Sequence, residues 1–179
     1  MHFPPKHFLA ICAMITCIST KAQSQAATNV FDSNCHLILE TKVGAYHFFK
    51  GGFGENAVLE KEMHQYFAWD IFSIDFSAPF NLDLVSVGIK TGVRGFSPHF
   101  WKSKMRAYGS LAMGYDCGII TTPILPPTER TGHGFALTSG VGCQYLEHFF
   151  LGYDLEYSTA KIDKGRFGIA HYVKFGWRF

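Results

Sequence analysis

The closing stretch, Arg166 to Phe179, limits what this chain can fold into more than any other. Its odd positions read Phe167, Ile169, His171, Val173, Phe175, Trp177 and Phe179; its even positions read Arg166, Gly168, Ala170, Tyr172, Lys174, Gly176 and Arg178. Side chains of a strand alternate between faces, so one face is apolar and aromatic while the other holds cations and glycines. In a soluble sandwich the apolar face would turn into a core. In a membrane barrel it turns outward to lipid, and the charges turn in. Aromatics at alternate positions up to a terminal Phe favour the barrel.

The same period recurs upstream. Leu37 to Phe49 places Leu37, Leu39, Thr41, Val43 and Ala45 opposite Ile38, Glu40, Lys42, Gly44 and Tyr46. Leu84 to Phe96 sets Val85, Val87, Ile89, Thr91 and Val93 against Ser86, Gly88, Lys90, Gly92 and Arg94. Met105 to Tyr115, Phe135 to Tyr145 and Phe149 to Tyr157 alternate likewise. Tyr66 to Phe76 loses phase between Trp69 and Ile74; a bulge near Phe72 restores it and puts Asp70 and Asp75 on one inner face. Seven strands are legible, and a bacterial single-chain barrel calls for an even number. The eighth is expected in Gln23 to Asn34 or in the poorly phased region before Trp69. Ser77 to Asp83 reads as a turn, and Lys50 to Met63, with Gly51, Gly52 and Gly54, as a loop. So does Cys117 to Gly132, with Pro123, Pro126 and Pro127, whereas Leu146 to His148 reads as a tight turn. Such barrels have short periplasmic turns and longer outer loops. This orients Leu146 to His148 and the chain end toward the periplasm, and the two long loops outward.

Composition removes the competing classes. Charged residues are 17% of the chain, against roughly a quarter in globular chains. Yet mean hydropathy is only +0.06, and past the N-terminal segment no run of about 20 apolar residues marks a membrane helix. At the N-terminus, Lys6 and His7 precede the apolar run Phe8 to Ile18, followed by Ser19, Thr20, Lys21 and Ala22. These are the parts of a secretory signal peptide, residues 1–22, with Ala26 the alternative cleavage point. Residues 23–179 then form one domain. Ile11 and Thr16 before Cys12 and Cys17 fit a lipoprotein signal poorly.

Lys6 and Lys21 fall in the signal and no acid does, so the remaining Lys and Arg balance the 14 Asp and Glu. A sequence pI of 8.3 is therefore no argument for a nucleic-acid partner. Cys35, Cys117 and Cys143 are too few and odd in number for a disulfide framework, and no CxxC spacing suggests a metal site.

The inward faces collect Glu40, Lys42, Asp70, Lys90, Arg94, Arg106, Asp116, Asp154, Glu156, Arg166, Lys174 and Arg178. An interior of about eight strands is just wide enough for side chains to fill. A packed ion-pair network is thus expected, with Asp154 and Glu156 partnering Arg166, Lys174 and Arg178 on the next strand. A small selective pore is the functional variant. No HExxH or other i, i+4 histidine pair suggests a metal or cofactor, and no catalytic residue is assigned. His133 and His171 near the outer rim read as scattered histidines, although their position would admit metal or haem. A lipid A-modifying enzyme needs a His and a Ser facing lipid on nearby strands, and His171 and Ser139 share that parity.

The run Gly140-Val141-Gly142-Cys143-Gln144-Tyr145, the strand end Gly152-Tyr153-Asp154-Leu155-Glu156-Tyr157 and the terminal Gly176-Trp177-Arg178-Phe179 resemble the small outer-membrane β-barrel proteins of the OmpA/OmpX type. These are also labelled porin-family or outer membrane β-barrel domain proteins. The signal ending Lys21-Ala22-Gln23 resembles those of Bacteroidetes secretory proteins. The resemblance implies an all-β, antiparallel up-and-down transmembrane barrel of about eight strands in a Gram-negative outer membrane. It implies contact with outer-membrane lipids and lipopolysaccharide, and insertion by the barrel assembly machinery, which reads a terminal aromatic strand, here Val173, Phe175, Trp177 and Phe179. Its members stabilise the envelope or act in adhesion and host interaction. A non-enzymatic monomer with surface recognition in its outer loops is the expectation.

Overall fold

The computed structural model describes residues 34–46, 50–80, 84–102, 104–120, 131–162 and 165–179. They form β1 (Cys35–Tyr46), β2 (Lys50–His64), β3 (Phe67–Pro79), β4 (Leu84–Phe96), β5 (Met105–Ile120), β6 (Thr131–Tyr145), β7 (Phe149–Ile162) and β8 (Gly165–Arg178). Each strand pairs antiparallel with the next, and β1 closes on β8 through Ile38↔Arg178 to Ala45↔His171. Closure leaves no sheet edge with unpaired backbone groups. The segment expected to be a signal peptide lies outside the described residues, as does Gln23 to Ser33, one of the places where the eighth strand is expected.

The eighth strand is β2, and Lys50 to Met63 is not a loop. Three glycines lower its strand propensity and suggested a turn, but it has ladder partners on both sides, β1 and β3. Pairing on two sides outweighs intrinsic preference. Its glycines Gly52 and Gly54 are buried on the inner face, in line with Val58 and Glu60. Three further expected bounds shift in the same direction. β3 continues through Ser77 to Pro79, β5 reaches Ile120, and β6 starts at Thr131, so strand occupies both ends of the stretch read as the loop 117–132. Residues 121–130 lie outside the described residues.

The phase break in β3 is a bulge at Ile71–Phe72: Asp70 pairs with Gly92 and Ser73 with Lys90, leaving two residues opposite Thr91. Asp70 and Asp75 are both buried as a result. One rim carries the start of β1, the turns after β2, β4 and β6, and Phe179. We call it the C-terminal rim, and the other the far rim. The turn after β6 uses left-handed backbone at Leu146 (φ 51°) and Glu147 (φ 63°), the geometry of a tight hairpin.

Alternation sorts the side chains by face. Val87, Ile89, Leu111, Met113, Tyr115, Leu151, Val173 and Phe175 are exposed on the outside, whereas Lys90, Asp116, Asp154 and Lys174 are buried inside. The barrel is apolar outside and charged within.

Candidate functional site

The lumen is filled by side chains in three levels. Toward the far rim, Lys42 bonds Asp75, and Lys90 bridges Asp75 (3.4 Å) and Glu156, with Thr138 3.2 Å from the Lys90 Nζ. At mid-height, Lys174 joins Glu40 (3.4 Å) to Asp154 (3.0 Å), and Asn56 donates to Glu40 at 2.9 Å. Toward the C-terminal rim, Arg178 reaches Glu60 (2.9 Å) and Glu62 (3.0 Å). Arg106 there bonds Gln144 and the Gln65 carbonyl and lies 3.8 Å over the Phe96 ring.

Arg94 binds the lower two levels together. It is 1% exposed and contacts Glu40 (3.4 Å), Asp70 (3.5 Å) and Glu60 (3.7 Å), carboxylates from three different strands. Its guanidinium carbon also sits 5.3 Å from the Tyr108 ring and 4.9 Å from the Phe150 ring. One cation thereby ties β4 to β1, β2, β3, β5 and β7. Inward glycines leave room for these long side chains. A Cβ on Gly140 would stand 2.1 Å from an Asp154 oxygen, and one on Gly152 would stand 2.2 Å from the Tyr108 hydroxyl.

Among the described residues, the buried cations are Lys42, Lys90, Arg94, Arg106, Lys174 and Arg178, and the buried acids are Glu40, Glu60, Asp70, Asp75, Asp116, Asp154 and Glu156. Near-balance of charge is what a low-dielectric interior requires, since an uncompensated charge costs several kcal/mol. Among the described residues the lumen holds voids of about 30 and 10 Å³, room for little more than a water molecule each.

The pairing differs from the strand-to-next-strand scheme expected of β7 and β8. Lys174 does meet Asp154, but Glu156 is taken by Lys90 of β4, and Arg178 crosses to β2. The Arg166 side chain lies outside the described residues. Glu60 and Glu62 are not among the expected lumen residues, because the glycines of Lys50 to Met63 point to a loop. The alternation of Asn56, Val58 and Glu60 with Ala57, Leu59 and Lys61 was the available signal.

On the outer face, Ser139 and His171 are not brought together. Ser139 stands opposite Leu155, and Leu155 opposite His171, so β7 lies between them. Two strand spacings of about 4.8 Å hold them roughly 9–10 Å apart, beyond proton-transfer reach. The His171 ring is bonded instead to the Tyr153 hydroxyl, and His133 makes the matching contact with Tyr115. Among the described residues no group of three or more His, Cys, Asp or Glu is placed to hold a metal ion. We expect the Ser139→Ala and His171→Ala variants to leave the lipid A profile of host cells unchanged by mass spectrometry. A lost or shifted acylation species would restore the Ser–His reading.

No protein-family model matches the sequence, and no curated protein matches it. Solved structures do. Neisserial surface protein A superposes with a TM-score of 0.62 at 12% identity, over 82% of this chain and 96% of that one. The N-terminal β-barrel domain of Pseudomonas aeruginosa OprF gives 0.51 at 14% identity, over 80% and 97%. The outer membrane enzyme PagL gives 0.52 at 10% identity, over 79% and 98%. At these identities the likeness is one of fold: the small eight-stranded barrel of the outer-membrane type.

Proposed function

We propose that this chain is an integral outer-membrane protein of a Gram-negative bacterium, non-enzymatic, whose barrel anchors a surface-interaction role. The observation that carries the reading is the pairing of an exposed apolar outer band with a lumen packed by ion pairs. A water-filled exterior would penalise the first, and a conducting pore would need the second to be open. About 16 strands are needed for an aqueous channel, and eight give an interior that side chains fill. The small-pore variant is therefore disfavoured by the ion-paired side chains that fill the lumen among the described residues, and the lipid A-modifying variant by the separation of Ser139 from His171. Outer-membrane lipids, lipopolysaccharide and the barrel assembly machinery are its proposed partners, with no nucleic acid and no cofactor. The partner of the surface role, a host or surface ligand, would engage the far rim, where 121–130 is the longest connection in sequence.

The test combines membrane fractionation, heat-modifiable gel migration and planar-bilayer recording on the purified protein. We expect recovery in the membrane fraction, a mobility shift on boiling and no discrete conductance. Recovery as a soluble periplasmic protein would overturn the membrane reading. Discrete single-channel steps would overturn the closed lumen.

A further inference from the structure

The outer wall carries one group that lipid alone cannot satisfy. Among the described residues, the outward-facing strand positions hold one acid, Glu55, and one Lys or Arg, Lys61, both on β2. Lys61 stands three residues before the end of its strand at His64, and a lysine stem is long enough to reach the interface from there. Glu55 has no such escape. It lies between Thr41 of β1 and Phe76 of β3, with the apolar row Val43–Phe53 toward the far rim and Leu39–Ala57–Ile74 toward the C-terminal rim. A carboxyl group is thereby set inside the apolar band, where a polar side chain turned to lipid costs free energy and points to a site of function.

Its own fold meets that group only in part. The Thr41 hydroxyl donates to the Glu55 carboxyl, its oxygen 3.1 and 3.3 Å from the two carboxyl oxygens. One hydroxyl has one proton to give, whereas a carboxylate offers about four acceptor sites. Hydrocarbon supplies no water for the remainder. An isolated ionised carboxylate is too costly in such a medium, so the group that faces lipid is the neutral acid, a donor as well as an acceptor.

A second copy of the chain is the partner that such a group fits. Copies inserted side by side in one orientation pair about a two-fold axis along the membrane normal. In an isologous contact a residue on the axis meets its own counterpart, and it must therefore complement itself. A neutral carboxyl does, since two of them close a ring of two O–H···O bonds. A lysine partner is out of reach: Lys61 of the partner subunit would stand roughly 20 Å along the strand, six residues at about 3.3 Å each. The side chains beside Glu55 on the shared face, Thr41 and Ala57, are short, so a facing wall can approach.

We propose that the chain forms a two-fold dimer in the membrane through the outer wall of β1 and β2, with Glu55 on the axis bonded to the partner's Glu55. This rests on the membrane reading above and departs from the monomer that the family resemblance implies.

Sedimentation equilibrium of the refolded full-length protein in density-matched detergent is the test, with the heat shift as the check on folding. We expect a reversible monomer–dimer equilibrium. Glu55→Leu should keep the heat shift, because leucine suits lipid, yet raise the dimer dissociation constant about ten-fold or more, the worth of two side-chain bonds inside a bilayer. Glu55→Gln, whose amide also donates and accepts, should stay within about three-fold of the parent. Ala57→Trp puts bulk into the contact and should weaken the dimer. Val141→Trp, on the exposed face of β6, should not. A parent that stays monomeric at every concentration would overturn the dimer. So would a dimer indifferent to Glu55→Leu or to Ala57→Trp, since its contact would then lie on another wall. A glutamine variant as weak as the leucine one would overturn the self-complementary pair. A parent that shows no heat shift and stays soluble without detergent would instead overturn the membrane reading beneath it.

Discussion

Replacing Arg94 with methionine is expected to destabilise the barrel by about 3–5 kcal/mol, the usual loss when one partner of a buried charge cluster is removed. Methionine has the length to fill much of the space, so the loss is electrostatic rather than a cavity effect. It leaves Asp70 without its guanidinium partner, and leaves Glu40 and Glu60 relying on Lys174 and Arg178. The measurement is the urea midpoint of the folded, fast-migrating band in detergent or bicelles. The sign of a second variant separates this account from simple loss of packing. Asp70→Asn placed in the Arg94→Met background should recover part of the loss, because it removes a carboxylate that has lost its counter-ion. The same Asp70→Asn change made alone should destabilise. An Arg94→Met midpoint equal to that of the parent chain would refute the network as a determinant of stability. A double variant weaker than Arg94→Met would show that packing around the side chain dominates.

The difference between what the residues announce and what the fold adds can be traced to three places. β4 and β8 are legible because their alternation is unbroken, and the observed β4 runs from Leu84 to Phe96 as its period indicates. The bulge in β3 is legible for the opposite reason. A phase error between Trp69 and Ile74 has one cheap repair, an inserted residue, and inserted residues are what a bulge accommodates. β2 is different: glycines on its inner face and Glu55 and Lys61 on its outer face blur the two-class pattern on both sides at once. The short alternation from Asn56 to Lys61 hints at a strand there, and the requirement that the barrel close extends it over the glycines. A local pattern alone cannot express closure.

The ion-pair partners show a further limit. Period 2 tells which face a charge occupies, and so Glu40, Lys42, Lys90, Arg94, Lys174 and Arg178 could be placed inward. It says nothing of which charge lies across a lumen only a side chain or two wide. Long cations reach past the neighbouring strand, so Arg178 finds Glu60 on β2 and Lys90 finds Glu156 on β7. Strand adjacency, the natural guess for a sheet, accounts for pairs such as Lys174–Asp154 and Lys90–Asp75 but misses those that cross a barrel this narrow.

Deleting Phe179 is the change for which location and stability should part most widely. In the folded barrel Phe179 contributes a backbone bond to the Leu37 carbonyl (2.9 Å) and an aromatic contact with Trp177 (6.2 Å between ring centres), and its side chain remains 46% exposed. One backbone hydrogen bond is worth about 1 kcal/mol net, and a half-exposed ring adds a comparable amount. A loss of about 2 kcal/mol leaves a barrel with this many buried ion pairs and a closed ladder folded. If the terminal Val173, Phe175, Trp177 and Phe179 act as the assembly signal, however, the last aromatic is the part whose absence delays handover to the insertion machinery, and unfolded chain is degraded while it waits. We therefore expect the truncated chain to refold in detergent with a heat shift and a urea midpoint lowered by only about 1 M. Its level in the outer membrane of expressing cells should fall by about ten-fold or more. Phe179→Tyr, which keeps a terminal ring, should restore most of that level, and Phe179→Ala should not. Equal membrane levels for the parent and the truncation would remove the signalling role. A truncation that also fails to refold in detergent would assign the loss to stability, with Leu37 and Trp177 as the contacts responsible.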